Sequence, residues 1–218
     1  MSNLSRTLAG SARLAAIVGG LAALVVSPIA GAGAAGTAKT FALFPTVAQL
    51  SCLGVSGPQT PTATATVTKG NNNDTLTVKL SNFKPGLAFD LFTVQRSNQL
   101  ANGSPNPTPG FGLAWYQSDV HVGSTGSGSA TIHTILLNQI FGFDPDVSLS
   151  PTNTFHVGFW FNNPADSKPC GFTGPPTPFN GEHHAGPVAF ITRPDAVTGL
   201  GPLCTKPNTT TNPPSCNP

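Results

Sequence analysis

Beyond residue 36 the apolar positions recur every second residue instead of every third or fourth. "TATATVTKG" (62–70) and "DTLTVKL" (74–80) set Ala, Val and Leu on one side and Thr and Lys on the other, the period of a half-buried strand. They flank "NNN" (71–73), where Asn tolerates the left-handed conformation of a tight turn, so the pair reads as a hairpin. "LAFDLFTVQ" (87–95) alternates Phe89, Leu91 and Thr93 against Asp90, Phe92 and Val94. "GLAWYQSD" (112–119), "GSGSATIHTILL" (126–137), "NTFHVGFWFNN" (153–163) and "GPVAFITR" (186–193) continue the pattern. In "FHVGFWF" the residues Phe155, Val157, Phe159 and Phe161 share one face, with His156, Gly158 and Trp160 on the other. Helix signals are nearly absent: 24 glycines and 22 prolines interrupt the chain too often for long helices. About seven or eight short strands argue for an all-β fold, an antiparallel β-sandwich.

The first 36 residues obey a different rule. Arg6 and Arg13 precede the uncharged run "LAAIVGGLAALVVSPIA" (14–30), and "AGAGAAG" supplies small residues in A-x-A form. This is the layout of a signal peptide, a helix removed by cleavage after Ala32, Ala34 or Ala35. The alternative is an anchor retained in the membrane, against which stand the Gly content, Pro28 and the small-residue run directly behind it. The expected division is therefore 1–36 signal peptide, 37–204 β-sandwich domain and 205–218 a low-complexity tail rich in Pro, Thr and Asn. Ser97 to Gly110, polar and broken by Pro, is a loop outside the core, long enough to be functional or mobile.

Export changes the charge. Ten Lys and Arg face eight Asp and Glu in the whole chain, and removing Arg6 and Arg13 leaves eight of each. A neutral protein with no basic patch has no means of holding a phosphate backbone or an anionic membrane surface, so nucleic acid is excluded as a partner. No membrane span is expected after cleavage. Roughly 180 residues remain, enough for one domain with its own core.

All four cysteines, Cys52, Cys170, Cys204 and Cys216, lie in the exported part. An even number in an oxidising compartment implies two disulfides, and no C-x-x-C pair supports a zinc ribbon or redox motif. Three pairings are open. We favour Cys52–Cys170 with Cys204–Cys216, because the latter ties down a tail that has nothing else to pack against.

One segment carries a resemblance. "LTVKLSNFKPGLAFDLFTV", Leu76 to Val94, resembles the strand–L-x-x-F-x-P-G–strand corner of bacterial immunoglobulin-like and fibronectin-III-like domains. The resemblance implies an immunoglobulin-like sandwich and no particular activity. Phe89 stands near the place where such domains set a corner tyrosine, so the hydrogen bond of a tyrosine corner would be missing.

Candidate chemistry concentrates in "FNGEHHAGP" (179–187), which holds Glu182, the only glutamate, with His183 and His184. A metal-dependent or hydrolytic enzyme would use these three as ligands, joined by His121, His133 or His156. The spacing argues for a polar turn instead: neighbours on an extended strand point to opposite faces, and no H-E-x-x-H or H-x-H is present. Asp144 and Asp146 around Pro145 would seed a structural calcium site, though this pairing is also common in turns. Glycoside hydrolysis needs two carboxylates, which one Glu and seven Asp make possible, but Asp74, Asp144, Asp146, Asp166 and Asp195 look assigned to turns, and only Asp90 and Asp119 sit in or beside strand patterns. No G-x-S-x-G elbow supports a serine hydrolase.

Fourteen Phe against two Trp and one Tyr point to packing more than display. Trp115, Tyr116 and Trp160 are the candidates for a carbohydrate- or peptide-binding surface. Trp115 and Tyr116 face opposite ways on their strand, so one of them is expected to be exposed; Trp160 would join them if its face is outward, against the favoured alternative that it caps the core or sits under the Pro-rich loop. The expected object is a secreted, extracellular, bacterial protein that is not an enzyme and takes no cofactor. Its role is binding or surface-structural, toward an extracellular or cell-surface ligand.

Overall fold

The computed structural model describes residues 38–46, 52–54, 59–107, 110–112, 114–134, 142–144, 149–152, 156–172, 186–212 and 214–216. The leader with Ala32, Ala34 and Ala35, the segment carrying Glu182, His183 and His184, and Asp146 and Phe155 lie outside the described residues. The chain divides between Ala35 and Gly36, and every described residue belongs to the second unit.

Eight strands form one antiparallel sheet: β1 (Ala38–Pro45), β2 (Thr62–Thr68), β3 (Asp74–Ser81), β4 (Ala88–Val94), β5 (Ala114–His121), β6 (Gly128–Thr134), β9 (His156–Phe161) and β10 (Val188–Ile191). Between and after them lie two small ribbons, β7 (Gly142–Asp144) with β8 (Leu149–Thr152), and β11 (Pro207–Asn208) with β12 (Ser215–Cys216). Across the large sheet the order is β5-β4-β9-β10-β1-β2-β3-β6. Strand β1 joins its two halves: Ala38 to Leu43 pair with β2, then Phe44 and Pro45 pair with β10. The edges β5 and β6 lie beside each other without ladder pairing, so the sheet is nearly barrel-shaped. Among the described residues the α-helix is confined to the single turn α1 (Pro164–Ser167), capped by the Asn163 side chain on the Ala165 amide.

The alternation in the sequence holds strand by strand. Ala63, Ala65 and Val67 of β2 and Leu76, Val78 and Leu80 of β3 are buried, and their register sets Ala65 opposite Val78 and Val67 opposite Leu76. Their outer neighbours make a different row. Thr40, Thr66, Thr77 and Thr131 stand side by side on β1, β2, β3 and β6. Within it the Thr40 and Thr66 hydroxyls are 2.8 Å apart and those of Thr77 and Thr131 3.0 Å. The hairpin turn is closed by Asp74, already the first residue of β3, whose Oδ1 accepts the Gly70 amide at 3.3 Å.

Inside, the core is phenylalanine. Phe83 touches Phe89, Phe159 and Phe190 with centroids 5.6, 6.1 and 5.3 Å away, and Phe159 stacks on Phe190 at 11°. Phe83 belongs to the corner that carries the chain from β3 to β4. Asn82 enters the left-handed region at φ 65°, a conformation Asn tolerates better than most side chains. The corner is pinned by Phe83 N–H on the Gly126 carbonyl (3.0 Å), Lys84 N–H on Leu53 (2.6 Å) and Gly86 N–H on Val122 (3.0 Å). Gly126 must be glycine here: its φ is +77°, and a Cβ would lie 2.8 Å from the Phe83 carbonyl oxygen.

A second, smaller core lies on the other face of β4, β9 and β10, where Phe92, Val94, Trp160, Val188 and Ile191 are buried with Phe111 and Ala114 against them. Here the structure differs from the sequence reading: the Ser97–Gly110 segment leads into this core's cover, with Phe111 edge-on to Trp160 at 5.2 Å. Its polar residues are stitched to the body. Gln99 Nε2 donates to the Pro45 carbonyl at 2.9 Å, and Arg193 Nε donates to Gln99 Oε1 at 2.7 Å while its guanidinium lies 4.1 Å over the Phe44 ring.

The cysteines pair as Cys52–Cys170 and Cys204–Cys216, with Cα separations of 5.1 and 5.7 Å, inside the bridging range. The first ties the segment before β2 to the turn after α1. The second fastens the β11–β12 hairpin beside Leu200. Their spans are 118 and 12 residues, and a longer loop removes more entropy from the unfolded chain. Replacing Cys52 and Cys170 by Ala should therefore cost about 5 kcal/mol in urea denaturation, and replacing Cys204 and Cys216 about 3 kcal/mol. A reversed order would contradict this entropic account.

Candidate functional site

Strand β5 is an edge, and its sequence "AWYQSDVH" carries the two aromatic residues that stay at the surface. Trp115 is 39% exposed and Tyr116 42%. They point to opposite faces, as alternation requires, but both are open where the sequence suggests one. The pairing with β4 explains their surroundings. Leu91 stands opposite Ser118 and Phe92 opposite Tyr116, so Gln117 is an extra residue, a β-bulge. Its amide donates to the buried Thr93 hydroxyl at 2.9 Å.

The bulge re-aims the second half of the strand. In a regular strand residues three apart lie on opposite faces; here Tyr116 and Asp119 share one. The Tyr116 hydroxyl donates to Asp119 Oδ1 at 2.8 Å, while its ring sits edge-on to the buried Phe92 at 5.6 Å. Asp119 faces Asp90 across the strands, and Asp90 faces Trp160 in turn. Asp90 is fully buried and accepts from Asn162 Nδ2 at 2.8 Å. One outer face thus runs from an exposed tyrosine–carboxylate pair on β5 to a buried carboxylate on β4 and the amide of Asn162, the residue after β9.

Trp160 is the correction among the aromatic candidates. It is 0% exposed, edge-on to Phe92 at 5.0 Å and covered by Phe111, so it packs instead of forming a ligand platform. The face opposite the apolar row of β9 is outward with respect to the main core, yet it has a cover of its own.

The described histidines are dispersed. His121 and His156 pair with opposite ends of β4, at Ala88 and Val94, six residues apart and hence about 20 Å. His133 lies in the other half of the sheet, its Nδ1 3.0 Å from the Thr75 hydroxyl. Among the described residues no group of three His, Cys, Asp or Glu side chains is close enough to hold a metal ion; Glu182, His183 and His184 are outside that set. Asp90 and Asp119 face each other, but the full burial of Asp90 keeps it from any substrate, so the pair does not form a glycosidase site.

A cleft of about 400 Å³ lies between β1 and the segment after β10, lined by Lys39, Asp195, Thr198, Leu200 and Cys204 among others. Its charged groups are occupied. Lys39 Nζ donates to the Cys204 carbonyl at 3.4 Å, and burial lowers its pKa, an effect Asp195 partly offsets. The amide and hydroxyl of Thr198 and the Val197 amide donate to Asp195 Oδ1 and hold that carboxyl below the usual range. This is a self-satisfied turn more than a receptor. No family model, curated protein or solved structure matches the chain.

Sequence reasoning points to Trp115 and Tyr116 but misses Asp119 as the tyrosine's partner, because a bulge is set by pairing and leaves no composition signal. It also misses His156 as a buried group. His156 is 3% exposed, with Nδ1 3.0 Å from the Thr192 hydroxyl, which also accepts the Val157 amide at 3.1 Å. Burial pushes its pKa down to about 4 from 6.5, partly countered by Thr192. The native state therefore excludes a proton that the unfolded chain binds, and stability is complete above pH 6.5 and falls as pH drops from there toward 4. At roughly 1.4 kcal/mol per unit the full loss is about 3 kcal/mol. Urea denaturation at pH 7.5 and pH 5 should show roughly 2 kcal/mol of this fall, and His156→Gln should flatten it relative to the unsubstituted protein.

Proposed function

We propose that this is a secreted extracellular protein of the immunoglobulin-like β-sandwich type, not an enzyme, that binds its ligand along the β5 edge. The observation that carries the reading is the surface placement of Trp115 and Tyr116. Each leaves about two-fifths of its surface open, on opposite faces of the edge strand, and Trp and Tyr supply much of the energy at binding surfaces. Both cores are filled without exposing any other aromatic of this size among the described residues.

The strand pairing supports the sandwich type. In immunoglobulin-like domains strand B pairs with E on one sheet, and C, F and G adjoin on the other. Here β3 pairs with β6, and β4, β9 and β10 adjoin in that order. The passage from β3 to β4 crosses between the halves as B to C does. Export rests on the leader, residues 1–36, and is supported by two disulfide pairs of the kind oxidising compartments favour. A bacterial source rests on the composition of leader and mature chain alone.

Two measurements test the proposal. N-terminal sequencing of protein recovered from the culture medium should begin at Gly33, Ala35 or Gly36; retention in cells with an intact leader would refute export. Immobilised protein should capture members of a displayed-peptide library or a glycan panel, and the Trp115→Ala/Tyr116→Ala double variant should lose that capture while a cooperative thermal transition shows that it still folds. Equal capture by both proteins would remove β5 as the binding edge.

A further inference from the structure

The geometry points to a neutral saccharide as the ligand of this edge, held by Tyr116 as a stacking platform and by Asp119 as a hydroxyl acceptor; the inference rests on the β5 reading above. Three observations decide the chemistry.

The ring comes first. Tyr116 is 42% exposed, yet it is fixed at both ends, edge-on to buried Phe92 and through its hydroxyl on Asp119. A ring already ordered loses little conformational entropy when a ligand settles on it. Its electron-rich face suits the weakly positive C–H groups on the flat side of a pyranose. The second is the carboxylate beside it. Asp119 is exposed, and a carboxylate offers about four acceptor positions, of which the tyrosine hydroxyl fills one. Sugar hydroxyls are donors, and donation to an ionised acceptor is stronger than between neutral groups. The side chain behind it is already committed: Asp90 is buried on Asn162, which fixes the strand beneath the site and adds no group a ligand can reach.

The third observation separates a sugar from a peptide. An unpaired strand edge ordinarily invites an added strand through its backbone ladder, but β6 already lies beside the outer side of β5. Here the bulge at Gln117 breaks the β5 register directly between Tyr116 and Asp119, and bulges are a device that blocks edge-to-edge pairing. An extended peptide cannot run its hydrogen bonds through that point, whereas a ring on Tyr116 and its hydroxyls on Asp119 need no ladder. Anionic polymers are disfavoured as well. The exposed carboxylate such a polymer would meet here is Asp119, with His121 two residues along β5 from it.

Purified protein mixed with cellulose, chitin, xylan and starch, and titrated with their soluble oligosaccharides, tests the inference. Retention on at least one polysaccharide is expected. Tyr116→Ala and Asp119→Ala should each weaken the soluble-sugar affinity by roughly tenfold or more. Tyr116→Phe keeps the stacking ring and loses the bond to Asp119, so it should fall between these and the unsubstituted protein, and thermal melting of every variant checks the fold. Failure to bind any of the four overturns the saccharide assignment, as does sugar binding unaffected by Tyr116→Ala and Asp119→Ala. Displayed peptides that bind the unsubstituted protein and not the Trp115→Ala/Tyr116→Ala variant would sink the saccharide while leaving β5 as the binding edge.

Discussion

The structure depends on one ring set in one corner. Phe83 leaves β3 at the Asn82 bend, enters the space between the halves of the sheet, and meets Phe89 on β4, Phe159 on β9 and Phe190 on β10. Each such aromatic contact adds about 0.5–1.5 kcal/mol beyond the area it buries. The backbone around it is held by amides reaching into the segment before β2 and into the β5–β6 turn. The corner therefore fixes two distant parts of the chain while filling the centre. Its dependence on Gly126 reflects how closely the backbone approaches.

Much of the fold is legible in the sequence because alternation survives burial on one face. "TATATVT" and "DTLTVKL" are β2 and β3, in the hairpin that the three asparagines suggest. "FHVGFWF" is legible in its faces, Val157, Phe159 and Phe161 toward the main core and Trp160 away from it. Strand β1 is not legible in this way. "AKTFALFP" comes directly after a run of small residues that looks like a processing site, and its exposed alanines and threonine offer little contrast. Its switch of partner at Phe44 is what makes one continuous sheet, and no residue type announces such a switch.

The outer face of β4 and β9 explains why the site is only half visible in the sequence. Polar–apolar alternation predicts that a face opposite the core meets water, and Trp160 is a surface candidate on that basis. Arg193, Gln99 and Pro45 tie a Pro-broken segment to the body, and Phe111, just beyond that segment, seals the face over Trp160. These contacts join residues far apart in the chain. The same long-range pairing makes the bulge that puts Tyr116 and Asp119 on one side. Residue identity supplies the aromatics, but only the neighbouring strand can supply their orientation.

The threonine row across β1, β2, β3 and β6 bears on how that face meets water. Water meets that side chiefly through hydroxyls, several of them already holding one another, with Lys79 and His133 as the ionisable groups among the outward residues of these strands. A coat of this kind is wetted without gathering many counter-ions, and most of its hydration does not hinge on titration. Ten basic and eight acidic residues give the chain little net charge to keep its copies apart. On this face wetting comes from neutral oxygen, which leaves it largely indifferent to the saltiness of the surroundings.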